Sequence, residues 1–454
     1  MSKNPYRSLP SVDALMESST IASVNLGHAL RVEAVRSVLS KAREAIARGE
    51  DAPSVEALEN QAVALAQTMV RPHLKEVINA TGVMIHTNLG RAPLMSQSLN
   101  DASAYSNLEF DLTSGKRGSR RAHVEGLICE LSGAEAALVV NNTAAAMLLL
   151  LAACARGKEV LISRSELVEI GGSFRVPAIM EASGAILREV GTTNRTYVAD
   201  YEQAINDRTA AILKVHRSNF RVSGFTHEAT TQELADLAHR HELPCWFDMG
   251  SATFGPMPDD LPTECDVPTE LEAGIDVGCF SGDKLLGGPQ SGILVGKKAA
   301  IEQLATHPMA RALRVGKLTI AGLQDVLLAY RRGQSEHVLL SAMLNADVDA
   351  LRARGETILS ALTEKNVEAE LVESADPIGG GSHPDQTLPG IALRLALKDG
   401  LNRVSTRLRQ GDCPIVSVIR DGAIHLHVRT VLPGQEDALV QGIVAALPPG
   451  NGVA

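Results

Sequence analysis

Aromatic side chains are scarce: one tryptophan, five tyrosines and seven phenylalanines, 3% of the chain. A core with so few rings must be filled by aliphatic groups. The six cysteines, at 129, 154, 245, 265, 279 and 413, contain no Cys-x-x-Cys pair, which argues against a zinc site. Cys129, Cys245 and Cys279 lie inside apolar runs and read as reduced, buried thiols of a cytosolic protein. Long apolar runs are missing too. The longest, Ala144–Cys154, is too short to span a bilayer, and Met1-Ser2-Lys3-Asn4-Pro5 has no signal-peptide core, so the expected location is the cytoplasm. Nor is there an excess of positive charge. With 43 Lys and Arg against 53 Asp and Glu, the net charge is -10, which excludes a wholesale nucleic-acid coat and confines any RNA contact to a local basic patch. No internal repeat is evident.

What is present is a chain of 454 residues, 45% hydrophobic and 21% charged, enough for two or three domains. Residues 1–70 read as a separate helical domain. Ser11 can cap a short first helix. From His28 to Arg48, Val32, Val35, Leu39, Ala42 and Ile46 make one apolar stripe, and Gly49 stops the helix. Its other faces carry Arg31, Arg36, Lys41, Arg43 and Arg48, either a solvated face or a phosphate-contacting one. Pro53-Ser54 starts the next helix, and Arg71-Pro72 marks a boundary. Residues 71–335 then alternate strand and helix: strands over Ala134–Val140, Glu159–Ser163, Ile186–Val190, Ala210–Val215, Cys245–Asp248, Ile275–Phe280 and Gly292–Val295, helices over Ala144–Cys154, Ser173–Glu181 and Thr230–Glu242. This rhythm predicts an α/β fold with a mostly parallel central sheet covered on both faces. Residues 336–454 read as a linking helix, Ser341–Leu362, and a small α/β domain with strands near Ile391–Leu397, Ile415–Arg420 and Ala423–Val428 and a closing helix, Glu436–Leu447. Gly379-Gly380-Gly381-Ser382 reads as a flexible joint, and this last domain as mainly structural or a lid.

In such sheets ligands gather at the carboxyl ends of the strands. Asn142, His216, Asp248 and Lys284 each stand at or just past such an end. Lys284 lies in a Gly-rich turn, Phe280-Ser281-Gly282-Asp283-Lys284-Leu285-Leu286-Gly287-Gly288-Pro289-Gln290. Desolvation lowers a lysine's pKa, and a neutral amine forms a Schiff base with an aldehyde. A strand-ending carboxylate, Asp248, beside a strand-ending amine, Lys284, is what pyridoxal phosphate (PLP) needs: one partner for the ring nitrogen and one for the aldehyde. Asn142 and Thr143, opening a helix after a strand, form an anion cradle or simply a helix cap, and Ser281 can reach the same phosphate. His216 either meets the ring or is an ordinary loop histidine. Arg91, Arg311, Arg314 and Lys317 are either anion contacts or surface charges, as is the basic run Lys116–Arg121.

In this order, four motifs resemble the bacterial selenocysteine synthase family, the L-seryl-tRNA(Sec) selenium transferases: Ile85-His86-Thr87-Asn88-Leu89-Gly90-Arg91-Ala92, Leu167-Val168-Glu169-Ile170-Gly171-Gly172, Glu189-Val190-Gly191-Thr192-Thr193-Asn194-Arg195-Thr196, and the Lys284 turn. Ser165, where the family usually has glycine, and Met249-Gly250-Ser251-Ala252 depart from its pattern. The resemblance implies a fold-type I PLP enzyme that converts seryl-tRNA(Sec) to selenocysteinyl-tRNA(Sec) through an aminoacrylyl-tRNA, with selenophosphate as donor. It implies that Lys284 carries PLP and moves the α-proton, that Asp248 pairs with the ring nitrogen, and that Asn142, Thr143 and Ser281 hold the phosphate. Asp283 or Lys284 would protonate the departing hydroxyl. Arg91, Arg311 and Arg314 would meet selenophosphate, and Arg31, Arg36, Lys41, Arg43 and Arg48 the tRNA. A homo-oligomer, a decamer built from five dimers, is also implied. Two alternatives stay open: a related PLP lyase or transferase acting on a small amino or sugar acid, and a non-catalytic tRNA-binding scaffold.

Overall fold

Buried strands of a covered sheet are largely apolar runs, and such runs form the middle of one seven-stranded sheet here, while the edge strand Ile186–Val190 carries Arg188 and Glu189 and is mostly exposed. The computed structural model describes residues 5–95, 102–170, 174–254, 257–259, 261, 265–397 and 400–447; Gly171, Gly172 and Ser173, named above, lie outside these. The strands are β1 (Ala136–Val140), β2 (Glu159–Ser163), β3 (Ile186–Val190), β4 (Thr209–Val215), β5 (Cys245–Gly250), β6 (Val277–Ser281) and β7 (Gly292–Gly296). Their spatial order is β1-β7-β6-β5-β4-β2-β3. β7 runs antiparallel to both of its neighbours, and the remaining pairs are parallel. Alternate residues feed two cores: Cys245, Phe247 and Met249 enter one, and Trp246, Val277 and Cys279 the other. This agrees with the expected mostly parallel, doubly covered sheet.

The chain divides into two compact units at Glu76/Val77. In the first, Ser11 caps Val12–Met16, and the long helix spans His28–Ala47. Gly49, at φ +90°, ends that helix: Glu50 N–H donates to Ala45 C=O at 3.1 Å and Gly49 N–H to Ile46 C=O at 2.9 Å, a Schellman closure that needs the left-handed residue. Ser54 caps Val55–Met69, and Val35, Leu39, Ala42, Leu58 and Ala62 form the core between the two helices.

In the second unit, a C-terminal antiparallel sheet follows the seven-stranded one. Its strands, β8 (Glu370–Pro377), β9 (Thr387–Leu395), β10 (Val418–Arg420) and β11 (Ala423–His427), lie in the order β8-β9-β11-β10. The expected helix Ser341–Leu362 is two helices, Leu339–Leu344 and Val348–Glu364. The break has a cause: Asp347 caps the second helix through Ala350 N–H at 3.2 Å, and the Arg429 guanidinium takes the carbonyls of Met343 and Ala346. The expected joint Gly379–Ser382 is also corrected. Gly379 bridges to Ile85, a Cβ on it would stand 2.6 Å from Ile85 O, and Ser382 is buried. Ile78–Asn79 pairs with Ile415–Val416, so the loop that leads to Arg91 starts from the C-terminal part of the unit.

Candidate active site

β5 and β6 are parallel neighbours, with Asp248 opposite Cys279, and both open toward the same end of the sheet. Beyond Ser281 the chain turns tightly. Gly282 N–H donates to Ser291 C=O at 2.9 Å, and Gly288 N–H to Gly282 C=O at 2.7 Å. A Cβ on Gly282 would sit 2.2 Å from Ser291 Oγ, so glycine is required for this closure. The turn lifts Lys284 into the crevice while burying it: it is 6% exposed, and its Nζ donates to Gly381 C=O at 3.4 Å.

Asp248 is 3% exposed, at a bulge that ends β5. Its Oδ1 accepts from Gly250 N–H at 3.0 Å and faces Cys279 Sγ at 3.7 Å. Burial pushes its carboxyl up from the ordinary range; the Gly250 N–H, the Lys284 ammonium and the Cys279 thiol pull it back. His216 follows β4 and is tied to Asp248, its N–H donating to the Asp248 carbonyl at 2.8 Å.

At the start of the helix Thr143–Cys154, Thr143 Oγ1 and Ser281 Oγ lie 2.5 Å apart. Asn142 caps this helix, its Oδ1 accepting from Ala145 N–H at 2.8 Å, so its side-chain oxygen is committed. β7 passes so close that a Cβ on Gly292 would stand 2.1 Å from Asn142 O. Two hydroxyls thus converge on a helix N-terminus of positive potential.

The expected site residues do not all converge. Arg91 meets Asp283: its NH1 donates to Asp283 Oδ2 at 2.5 Å, with the carboxylate 4% exposed. Arg91 has φ 64°, costly for a non-glycine residue, and such strain gathers at functional sites. Asp283 is therefore first a partner for Arg91, a contact between residues 192 apart in sequence. Arg311 and Arg314 instead line a cavity of about 520 Å³ with Arg120, Arg121 and His307, and neither Lys284 nor Arg91 is among its lining residues. Arg314 donates to Glu109 Oε1 at 2.8 Å. Glu109 also takes Arg117 and Arg120, while Arg121 pairs with Glu125 and Glu302, so internal carboxylates hold the arginines of the basic run. In the N-terminal unit, Arg31 is spent on packing, donating to Ala22 C=O at 3.2 Å, whereas Arg36, Lys41 and Arg43 are exposed and Arg48 pairs with Glu50.

Sequence reasoning passed over Ser251 and Glu166. The Ser251 hydroxyl meets that of Ser382 and accepts from Leu285 N–H at 3.4 Å, propping the lysine turn. Glu166 is wholly buried, and its Oε2 accepts from Val215 N–H at 3.0 Å, next to His216. One acidic residue in a polar loop carries no periodic signal. Burial pushes its carboxyl up to about 7, against the pull of Lys214. An acid raised in the folded state stabilises the fold below its unfolded value, and that contribution is lost as pH climbs from 4.5 through about 7. The ionised carboxylate should then cost up to about 3 kcal/mol. Glu166→Gln should therefore unfold with the native chain at pH 5 and a few degrees above it at pH 8; equal unfolding temperatures at pH 8 would refute this.

A buried amine and a buried carboxylate at adjacent strand ends, with hydroxyls on a helix N-terminus, fit PLP: Lys284 for the aldehyde, Asp248 for the ring nitrogen, Thr143 and Ser281 for the phosphate. The protein has the α/β fold of the fold-type I PLP-dependent transferases. A D-glucosaminate-6-phosphate ammonia-lyase structure shares that fold, with a TM-score of 0.57 and 22% identity over 84% of this chain and 98% of its own. The family described as L-seryl-tRNA selenium transferase matches residues 77–432, and the selenocysteine synthase N-terminal family matches residues 6–43. The L-seryl-tRNA(Sec) selenium transferase of Caldanaerobacter subterraneus subsp. tengcongensis is 43% identical over 96% of this chain and 97% of its own. That of Aquifex aeolicus is 43% identical over 94% and 96%. The chain belongs to the L-seryl-tRNA selenium transferase family.

Proposed function

We propose that this chain converts seryl-tRNA(Sec) to selenocysteinyl-tRNA(Sec), with selenophosphate as donor and PLP held on Lys284. What supports the reading is the buried Lys284 and Asp248 at the ends of adjacent strands, in a chain about 43% identical to named transferases over nearly its whole length. Bound PLP supplies an electron sink for charge developing at the seryl α-carbon. The protein's own groups do the rest. Asp248 keeps a proton on the ring nitrogen. Thr143, Ser281 and the helix N-terminus hold the phosphate. Lys284, with its amine free, would take the α-proton. The same ammonium would give a proton to the departing β-hydroxyl, which leaves as water, while Asp283, as the acceptor for Arg91, serves to hold that guanidinium.

Selenium of selenophosphate would then bond to the β-carbon, Lys284 would return a proton to the α-carbon, and water would take the phosphoryl group as the Se–P bond breaks, releasing phosphate. Selenophosphate is a small, dense anion, and Arg91, Arg311 and Arg314 are the cations assigned to it across a subunit boundary, since within one chain Arg311 and Arg314 line a cavity that includes neither Arg91 nor Lys284. For Arg91 this means exchanging Asp283 for the donor. The tRNA is assigned to Arg36, Lys41, Arg43 and Arg48; Arg31, being packed, contributes to that domain's shape. The active form is a homo-oligomer working in the cytoplasm. Among the described residues no helix is long and apolar enough to cross a membrane.

The test is conversion by purified protein of seryl-tRNA(Sec), with free serine and a phosphorylated amino sugar acid as competing substrates. Product on tRNA that depends on both PLP and selenophosphate is expected. Turnover of the small acids alone would place the chain among lyases. Arg311→Ala or Arg314→Ala should raise the KM for selenophosphate roughly tenfold or more, the worth of one charge-assisted hydrogen bond, without changing tRNA affinity. A variant that lost tRNA and kept its donor KM would contradict the assignment.

A further inference from the structure

Beneath the loops around Lys284 lies a second buried polar cluster that the chemistry above does not use. Asp376, His427 and Arg429 are 0%, 5% and 3% exposed. Asp376 Oδ1 accepts from Ser374 Oγ at 2.8 Å and from His427 Nδ1 at 2.6 Å, and its Oδ2 accepts from Arg429 Nε at 3.1 Å. With a carboxylate as partner, His427 carries its proton on Nδ1. Arg429 spends its remaining donors on backbone: NH1 on Met343 C=O at 2.5 Å and Ala346 C=O at 3.3 Å, and NH2 on Pro389 C=O at 2.5 Å. Two glycines make room. A Cβ on Gly82, at φ +80°, would stand 2.6 Å from His427 Nδ1, and one on Gly390 would stand 2.1 Å from Asp376 Oδ2. With both carboxylate oxygens and all three guanidinium nitrogens bonded, loss of one member leaves its partners buried and unpaired.

Both loops that wall Lys284 are rooted in it. The first leaves the cluster at Gly82, whose N–H donates to Thr430 Oγ1 at 3.1 Å, and ends at Arg91 on Asp283. The second leaves at Asp376 and reaches Gly381, whose carbonyl receives Lys284 Nζ, and Ser382, which meets Ser251. Between these ends the loops are stitched together: Met84 N–H to Pro377 C=O at 3.2 Å, Ile85 N–H to Ile378 C=O at 2.7 Å, and Gly380 N–H to Ile85 C=O at 3.0 Å.

We propose that Asp376, His427 and Arg429 are positioning residues: a buried clasp that keeps loops 82–92 and 377–383 in register, and so sets where Gly381 meets Lys284 and Arg91 meets Asp283. Only the kinetic arm of its test rests on the functional reading above; the exchange arm stands without it.

The experiment is amide hydrogen exchange on the full-length chain, with kcat measured per PLP-loaded site. His427→Leu should speed exchange at Met84, Ile85 and Gly380 at least about tenfold, the effect of losing one buried hydrogen bond on a local opening, while Trp246–Asp248 and Gly278–Phe280 keep native rates. Its kcat should fall roughly tenfold or more, with the KM for tRNA unchanged, because misplaced groups cost rate before they cost binding. His427→Asn keeps a donor near Nδ1 and should restore both readouts to within about threefold of native. Gly82→Ala leaves all three side chains in place yet collides with His427, and should reproduce the leucine variant; it decides the matter if that variant does not fold. Native exchange at Ile85 and Gly380 in Gly82→Ala would overturn the proposal. So would acceleration spread equally over the central strands, the mark of a general support.

Discussion

Lys284→Ala is expected to lose at least about a thousandfold in turnover, since a general acid–base group alone is worth roughly a hundred to ten thousandfold and Lys284 serves as both base and anchor. The visible absorbance of bound PLP should go with it. The fold should stay. The turn is held by backbone bonds, Gly282 N–H to Ser291 C=O and Gly287 N–H to Lys284 C=O at 2.8 Å, that need no lysine side chain. Circular dichroism of the PLP-free variant should therefore match the native protein. A variant that kept its absorbance and turned over would move the chemistry to another amine.

Asp248→Asn should follow closely, with kcat down by roughly a hundred to a thousandfold and weaker PLP binding, the usual penalty for removing a preorganised charge from a buried site. The geometry survives: the amide oxygen of asparagine can accept the Gly250 N–H that Oδ1 now accepts at 3.0 Å. Stability of the PLP-free protein should not fall. Burial disfavours the ionised Asp248, and a folded-state acid raised above its unfolded value loses stability as pH rises past 3.8, so at neutral pH the uncharged isostere is equal or better. PLP titration and steady-state kinetics on one preparation separate the two effects. Native kcat in this variant would end the assigned role of the carboxylate.

The parts of the molecule legible in the sequence are those written locally. β2 matches the expected Glu159–Ser163 because a buried parallel strand is a short, mainly apolar run between polar turns, and β3, a mostly exposed edge strand, matches Ile186–Val190 because Gly184 and Gly191 bracket it. The α-helix His28–Ala47 was readable from one stripe and one glycine. The Lys284 turn was readable because a charged residue among glycines at a strand end has few structural uses. What could not be read depends on partners far along the chain. The break between the helices Leu339–Leu344 and Val348–Glu364 is held by Arg429, more than eighty residues on. β8, Glu-Leu-Val-Glu-Ser-Ala-Asp-Pro, is a half-exposed edge strand whose carboxylates hide its period. Gly379–Ser382 has the composition of a hinge and becomes a wall only because Ile85 and Lys284 lie against it. The pairing of Arg91 with Asp283, and the separation of both from the Arg311 and Arg314 cavity, follow from topology rather than from any run of letters.

The most direct measurement is borohydride reduction of the PLP-loaded protein, followed by peptide mass spectrometry. A single pyridoxyl mass on the peptide carrying Lys284, absent when seryl-tRNA(Sec) is added before the reductant, is the expected result. A label on any other lysine, or on none in a protein that still forms selenocysteinyl-tRNA, would contradict it.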